Sequence, residues 1–158
     1  PSFSCIQLMG KTLASEIRKI KPRYECIVID VGGRDTGALR AALVVADKVI
    51  VPVLPAQIGA WVLESMDELV EQAKFFNTNL EACVLIKKAD PHPSMRMAEG
   101  VSDFVASLPH LKLLESRLTY RVAQSRSLAE GKAVHEVANP DQRAVAEMNA
   151  LFKEVLYE

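Results

Sequence analysis

The feature that most constrains this chain is a regular alternation between short, β-rich apolar runs and segments whose apolar residues recur at helical spacing. That alternation belongs to a mostly parallel sheet with helices packed on its faces. Five runs read as strands: Phe3 to Leu8, Cys26 to Asp30, Val49 to Leu54, Ala82 to Lys87 and Leu111 to Leu114. Cys26-Ile27-Val28-Ile29 and Val49-Ile50-Val51 are apolar on successive residues, the pattern of strands buried on both faces.

The segments between them read as helices. Leu13, Ile17 and Ile20 form a stripe in the first, and Leu39, Ala42 and Leu43 form one in the second. Ile58, Val62, Met66, Leu69, Ala73 and Phe76 recur along the third, with Glu64, Asp67, Glu68, Glu71 and Lys74 on its other side. Ser94 starts a helix that presents Met97, Val101, Phe104 and Leu108 on one face. Asn139-Pro140-Asp141-Gln142 starts a last one burying Val145, Met148, Phe152 and Val155. With 158 residues and neither a repeat nor a linker, residues 1–158 read as one α/β domain, its sheet mostly parallel with helices on its faces.

Composition excludes several classes. The chain is 49% hydrophobic and 25% charged, far from disordered or disulfide-dense proteins. Its net charge of -1 gives no global attraction to nucleic acid, so polyanion binding needs a local basic patch. Cys5, Cys26 and Cys83 are odd in number, widely spaced and set among apolar residues, which predicts buried free thiols and a reducing cytoplasm. The longest apolar stretch, Ala38 to Leu54, is broken by Arg40, Asp47, Lys48 and Pro52, so no membrane span is expected. His92, His110 and His135 are too scattered to hold a metal.

Ligands of open parallel sheets bind beyond the carboxyl ends of the strands. Asp30 closes one such run and leads into Val31-Gly32-Gly33-Arg34-Asp35-Thr36, a glycine turn. A carboxylate there can orient the water shell of a magnesium ion that also contacts phosphates. It can equally cap the helix that follows, and local spacing leaves both roles open. Gly10-Lys11-Thr12 has the ending of a phosphate loop, but Cys5 stands where that loop needs its first glycine, so the triplet reads as a plain helix start.

Tyr24 to Asp30, then Ala41 to Pro55, resemble the Walker B strand and the next helix and strand of the ParA family of partition ATPases. Arg121-Val122-Ala123 and Leu128 to Glu136 resemble that family's late arginine-to-glycine segment. The resemblance covers nearly the whole chain. It implies a P-loop-type three-layer fold, ATP or ADP with magnesium, nucleotide-dependent homodimers, nonspecific DNA binding, a centromere-binding ParB-like adaptor and a bacterial cytoplasmic, nucleoid-associated setting, without a membrane partner. Asp30 matches the Walker B carboxylate, a magnesium ligand through water; Gly32 and Gly33 fall in the phosphate-sensing switch that runs to Thr36. Lys87 and Lys88 stand at the strand end where family members contact the adenine base. Arg117, Arg121, Arg126 and Lys132 fall where the family can face DNA, or else form a solvated face paired with Glu115 and Glu130.

The family's opening strand, its glycine-rich loop with two lysines and its acidic motif are expected to precede Pro1, so this chain by itself is expected not to hydrolyse ATP appreciably. A MinD-like positioning ATPase and a nucleotide-independent dimerisation or adaptor-binding module are the alternatives.

Overall fold

The computed structural model describes residues 4–32, 36–54, 60–89 and 95–157. Its centre is a parallel sheet in the order β1 (Lys48–Val53), β2 (Glu81–Ala89), β3 (Lys112–Thr119). Around it lie α1 (Gly10–Ile20), a short 3-10 turn (Lys21–Arg23), α2 (Gly37–Leu43), α3 (Ala60–Lys74), α4 (Met95–Ala106), α5 (Val122–Ala129) and α6 (Gln142–Tyr157).

β2 is central, and its side chains show why the sheet needs two helical layers. Ala82, Val84 and Ile86 face a core made with α2, α3 and α4, including Leu39, Leu43, Leu63, Val70 and Val105. Cys83 and Leu85 point the other way, against Leu114 and the α6 residues Met148, Leu151 and Val155. Residues 82–86 of β2 are all buried, so this run is apolar at every position rather than at alternate ones. Burial raises the pKa of the Cys83 thiol, although Lys48 and Lys112 oppose the rise.

Among the described residues the sheet has three strands rather than the expected five. Among the described residues, 4–9 and 24–32 belong to no strand. The run from Cys26 to Asp30 is not buried on both faces: Ile27, Ile29 and Val31 pack against α1 and α2, while Val28 on the opposite side is 88% exposed. A run with one covered face and no hydrogen-bonding neighbour gains only half the burial of a central strand. Cys5 and Cys26 lie on these two segments and are exposed; only Cys83 is a buried thiol.

Helix phases also shift. In α3 the buried stripe is Leu63, Met66, Asp67, Val70 and Ala73, with Leu69 beside it. Val62 and Phe76 turn outward, and Ile58 lies outside the described residues. In α6 the buried residues are Ala144 and Leu151, with Met148 and Val155 partly buried beside them and Phe152 about half exposed. Asp67, expected on the solvent side, is buried: one carboxylate oxygen accepts the His110 amide at 2.8 Å and the other lies 3.1 Å from His110 Nδ1. The start of the last helix is capped by Asp141, which accepts from the amides of Arg143 and Ala144 at 2.9 and 3.1 Å. Ser94 lies outside the described residues.

Candidate functional site

The direction of each element decides which residues reach the carboxyl edge of the sheet. Asn77, just ahead of β2, donates from Nδ2 to the carbonyls of Leu43 at 3.0 Å and Ala46 at 2.7 Å. Those carbonyls end α2 and precede β1, so the C-terminus of α2 lies at the amino end of the sheet. The N-terminus of α2, with its cap Thr36, therefore points away from that end. Lys21 likewise binds both oxygens of Asp47, at 2.8 and 3.0 Å, which fixes the C-terminal end of α1 at the amino edge. The run from Tyr24 to Asp30 follows that end of α1, and its Ile27 and Ile29 pack against α1 and α2.

The two helix starts meet at the carboxyl edge. A Cβ on Gly10 would lie 3.1 Å from the Ala38 backbone nitrogen and 3.3 Å from its Cα, so the glycine permits close approach of α1 to α2. The triplet Gly10-Lys11-Thr12 is a helix start, with Thr12 Oγ1 donating to the Met9 carbonyl at 3.1 Å.

Asp30 is exposed at the top of its run, and no donor contacts its carboxylate among the described residues. The cap of the following helix is Thr36, whose Oγ1 accepts the Leu39 amide at 3.2 Å. Of the two roles left open by spacing, the helix-capping one is thus taken by another residue. Gly32 has open space around its Cα, with nothing within 4 Å of a built Cβ. Gly33, Arg34 and Asp35 lie outside the described residues.

At the other side of the same edge, Lys87 is half-buried near the end of β2 and pairs with Leu118 of β3. Lys88 follows it in the same strand. Ala89 pairs with Thr119, which ends β3.

The four basic candidates divide. Arg117 is exposed on β3 and Arg126 is exposed on α5. Lys132 pairs with Glu130 at 3.1 Å, as one half of the ion-paired alternative expects. Arg121 instead binds Glu147: Nε and Nη2 donate to Oε1 at 3.1 and 2.7 Å. The same carboxylate accepts the Thr119 amide at 3.0 Å and the Thr119 hydroxyl at 2.6 Å. Burial pushes the Glu147 pKa up, but the bonds from Arg121 and Thr119, with the Arg121 charge, outweigh it and hold the carboxyl below its ordinary range. The bond to Glu147 in turn raises the pKa of the Arg121 guanidinium.

Two turns along α6, Glu154 accepts the amides of Glu115 and Ser116 at 2.7 and 2.8 Å. These amides sit in a bulge of β3, where the register with β2 jumps between Val84 and Ile86. Burial pushes the Glu154 pKa up, and the bonds from Ser116 and Glu115 bring it below the ordinary value. α6 thus covers one sheet face with apolar residues and satisfies edge amides of β3 with two carboxylates.

No group of three or more metal-ligating side chains occurs among the described residues. A lone exposed carboxylate fits a hard ion that keeps most of its waters, as magnesium does, and does not fit a closed site such as structural zinc. No described helix is long and apolar enough to cross a membrane.

Among the described residues, these observations define an α/β protein with an all-parallel three-stranded sheet and helices on both faces. No family model matches the chain. It is similar to maintenance of carboxysome distribution protein A from Halothiobacillus neapolitanus, with 22% identity over 141 residues, which are 89% of this chain and 64% of that protein. The chain therefore spans less than two thirds of that relative's length.

Proposed function

We propose that the chain is part of a nucleotide-switched positioning protein of the ParA type, in which Asp30 serves a magnesium nucleotide. The observation that carries this reading is the Asp30 carboxylate: it stands exposed beside the glycine turn, free of described donors, while Thr36 performs the capping that would otherwise explain an acid there. The motif resemblance and the similarity to a protein named for carboxysome distribution support the same class.

Asp30 would orient the metal's waters, and bound magnesium would supply charge neutralisation at the phosphates. Lys87 and Lys88, at the end of β2, are the candidates for the base side. Because a lysine ammonium donates and cannot accept, it would contact acceptor nitrogens of a base rather than pair with its full edge. Thr36 caps α2, so a nucleotide-dependent change in the switch that ends at Thr36 would be passed to α2 and through Asn77 toward β2.

In this reading the protein forms nucleotide-dependent homodimers and works with a ParB-like adaptor and nonspecific DNA. Arg117 and Arg126 are the better candidates for phosphate contacts, since Arg121 and Lys132 are engaged within the chain. The cargo separates the subclasses: a plasmid, a chromosome or a protein compartment. Replacing Asp30 with Ala in the intact protein tests the assignment through ATP turnover and DNA retention. Loss of both is expected, and unchanged values would reject it.

A further inference from the structure

We infer that Glu147 is a positioning residue for the strand-end site, holding the corner between β3 and α5 as the wall against which the nucleotide base rests. The inference depends on the nucleotide reading above and adds to it a residue that neither the motif resemblance nor the sequence spacing singles out.

The corner is placed by the sheet itself. Thr119 ends β3 opposite Ala89, and Leu118 pairs with Lys87, so the chain from Thr119 to Arg121 leaves the sheet beside the two lysines assigned to the base side. Ordinarily such a strand exit is held only by its ladder bonds. Here one carboxylate from α6 gathers four donors from it: the Thr119 amide and hydroxyl, and Nε and Nη2 of Arg121. Thr119 belongs to the strand and Arg121 immediately precedes α5, so Glu147 joins the two elements across a single intervening residue, Tyr120. Fixing a bend by charge-assisted bonds removes freedom that a ligand would otherwise have to quench on binding.

Glu154 provides the internal comparison. It lies on the same helix, seven residues on, and caps β3 amides in the same manner, but at the bulge and away from the strand tip. A purely structural role predicts that the two carboxylates behave alike. A positioning role predicts that only Glu147 affects the ligand.

The test measures magnesium-ADP affinity with a fluorescent ADP analogue, together with the thermal midpoint, on the intact protein and on Glu147→Gln and Glu154→Gln. Both variants are expected to melt earlier. Glu147→Gln is expected to weaken ADP by roughly tenfold, the scale seen when a supporting partner of a binding group is removed, while Glu154→Gln binds like wild type. Equal affinities in all three proteins, or equal losses in both variants, overturn the inference. Should Glu147→Gln not fold, Thr119→Val removes only the hydroxyl bond and is expected to weaken ADP about threefold, on the smaller scale of a single lost hydrogen bond; no change there also overturns it. Failure of the wild-type protein to bind ADP would show in that protein alone and would remove the nucleotide reading itself.

Discussion

Replacing Asn77 with Ala tests how the glycine-turn helix is anchored to the sheet. Asn77 Nδ2 bridges the carbonyls of Leu43 and Ala46 at 3.0 and 2.7 Å, both partly buried, and these bonds link the end of α2 to the turn before β2. A neutral hydrogen bond contributes a net of about 1 kcal/mol, so losing two costs about 2 kcal/mol. For a chain of this length each kcal/mol lowers the thermal midpoint by roughly 2–4 °C, giving an expected fall of about 4–8 °C. Differential scanning fluorimetry reads this directly, with exposed Asn79→Ala as the control, expected within about 0.5 kcal/mol of wild type. A midpoint for Asn77→Ala equal to that of the control would refute the bridge, and with it the basis for directing α2 toward the carboxyl edge.

Acid should loosen the contact between α6 and β3. The folded-state pKa values of Glu147 and Glu154 are depressed, so their stabilisation is complete above the unfolded carboxylate pKa of about 4.3 and is lost as pH falls through the lower folded values. The double variant Glu147→Gln/Glu154→Gln is expected to show a shallower loss of stability below about pH 4.5 in urea titrations, and an unchanged acid slope would contradict this assignment. At the end of α5, Gly131 adopts φ 66°, while its amide and that of Lys132 bond back to the carbonyls of Leu128 and Ser127 at 2.9 Å each. Gly131→Ala is expected to cost about 1–2 kcal/mol by chemical denaturation, since a side chain disfavours that backbone region, and no cost would contradict the left-handed cap.

The parallel α/β class was legible because β2 is apolar at every position from Ala82 to Ile86, as a strand covered on both faces requires. The same pattern at Cys26 to Ile29 did not produce a paired strand, because pairing depends on a neighbour and not on the run itself. Helix phase was blurred where apolar residues crowd: in α3, Val62 and Leu63 are adjacent and either could start a stripe, and tertiary packing chose Leu63. Asp67, Glu147 and Glu154 were obscured for a shared reason. Charged residues are read as solvent-facing, yet each lies along or beside a buried stripe and meets donors distant in sequence. The available signal was that spacing, with Glu147 and Glu154 seven residues apart beside Met148 and Val155. Asp30 needed no such help, since a carboxylate closing an apolar run ahead of glycines stands out in sequence; what the structure added was Thr36 as the cap.

The most direct test of the central claim is calorimetric titration of ADP into the intact protein with and without magnesium, repeated on Asp30→Asn. The account predicts that magnesium tightens ADP binding in the wild type and that the substitution removes this gain while leaving the metal-free affinity unchanged. Binding that ignores magnesium, or a magnesium gain that survives in Asp30→Asn, would contradict it.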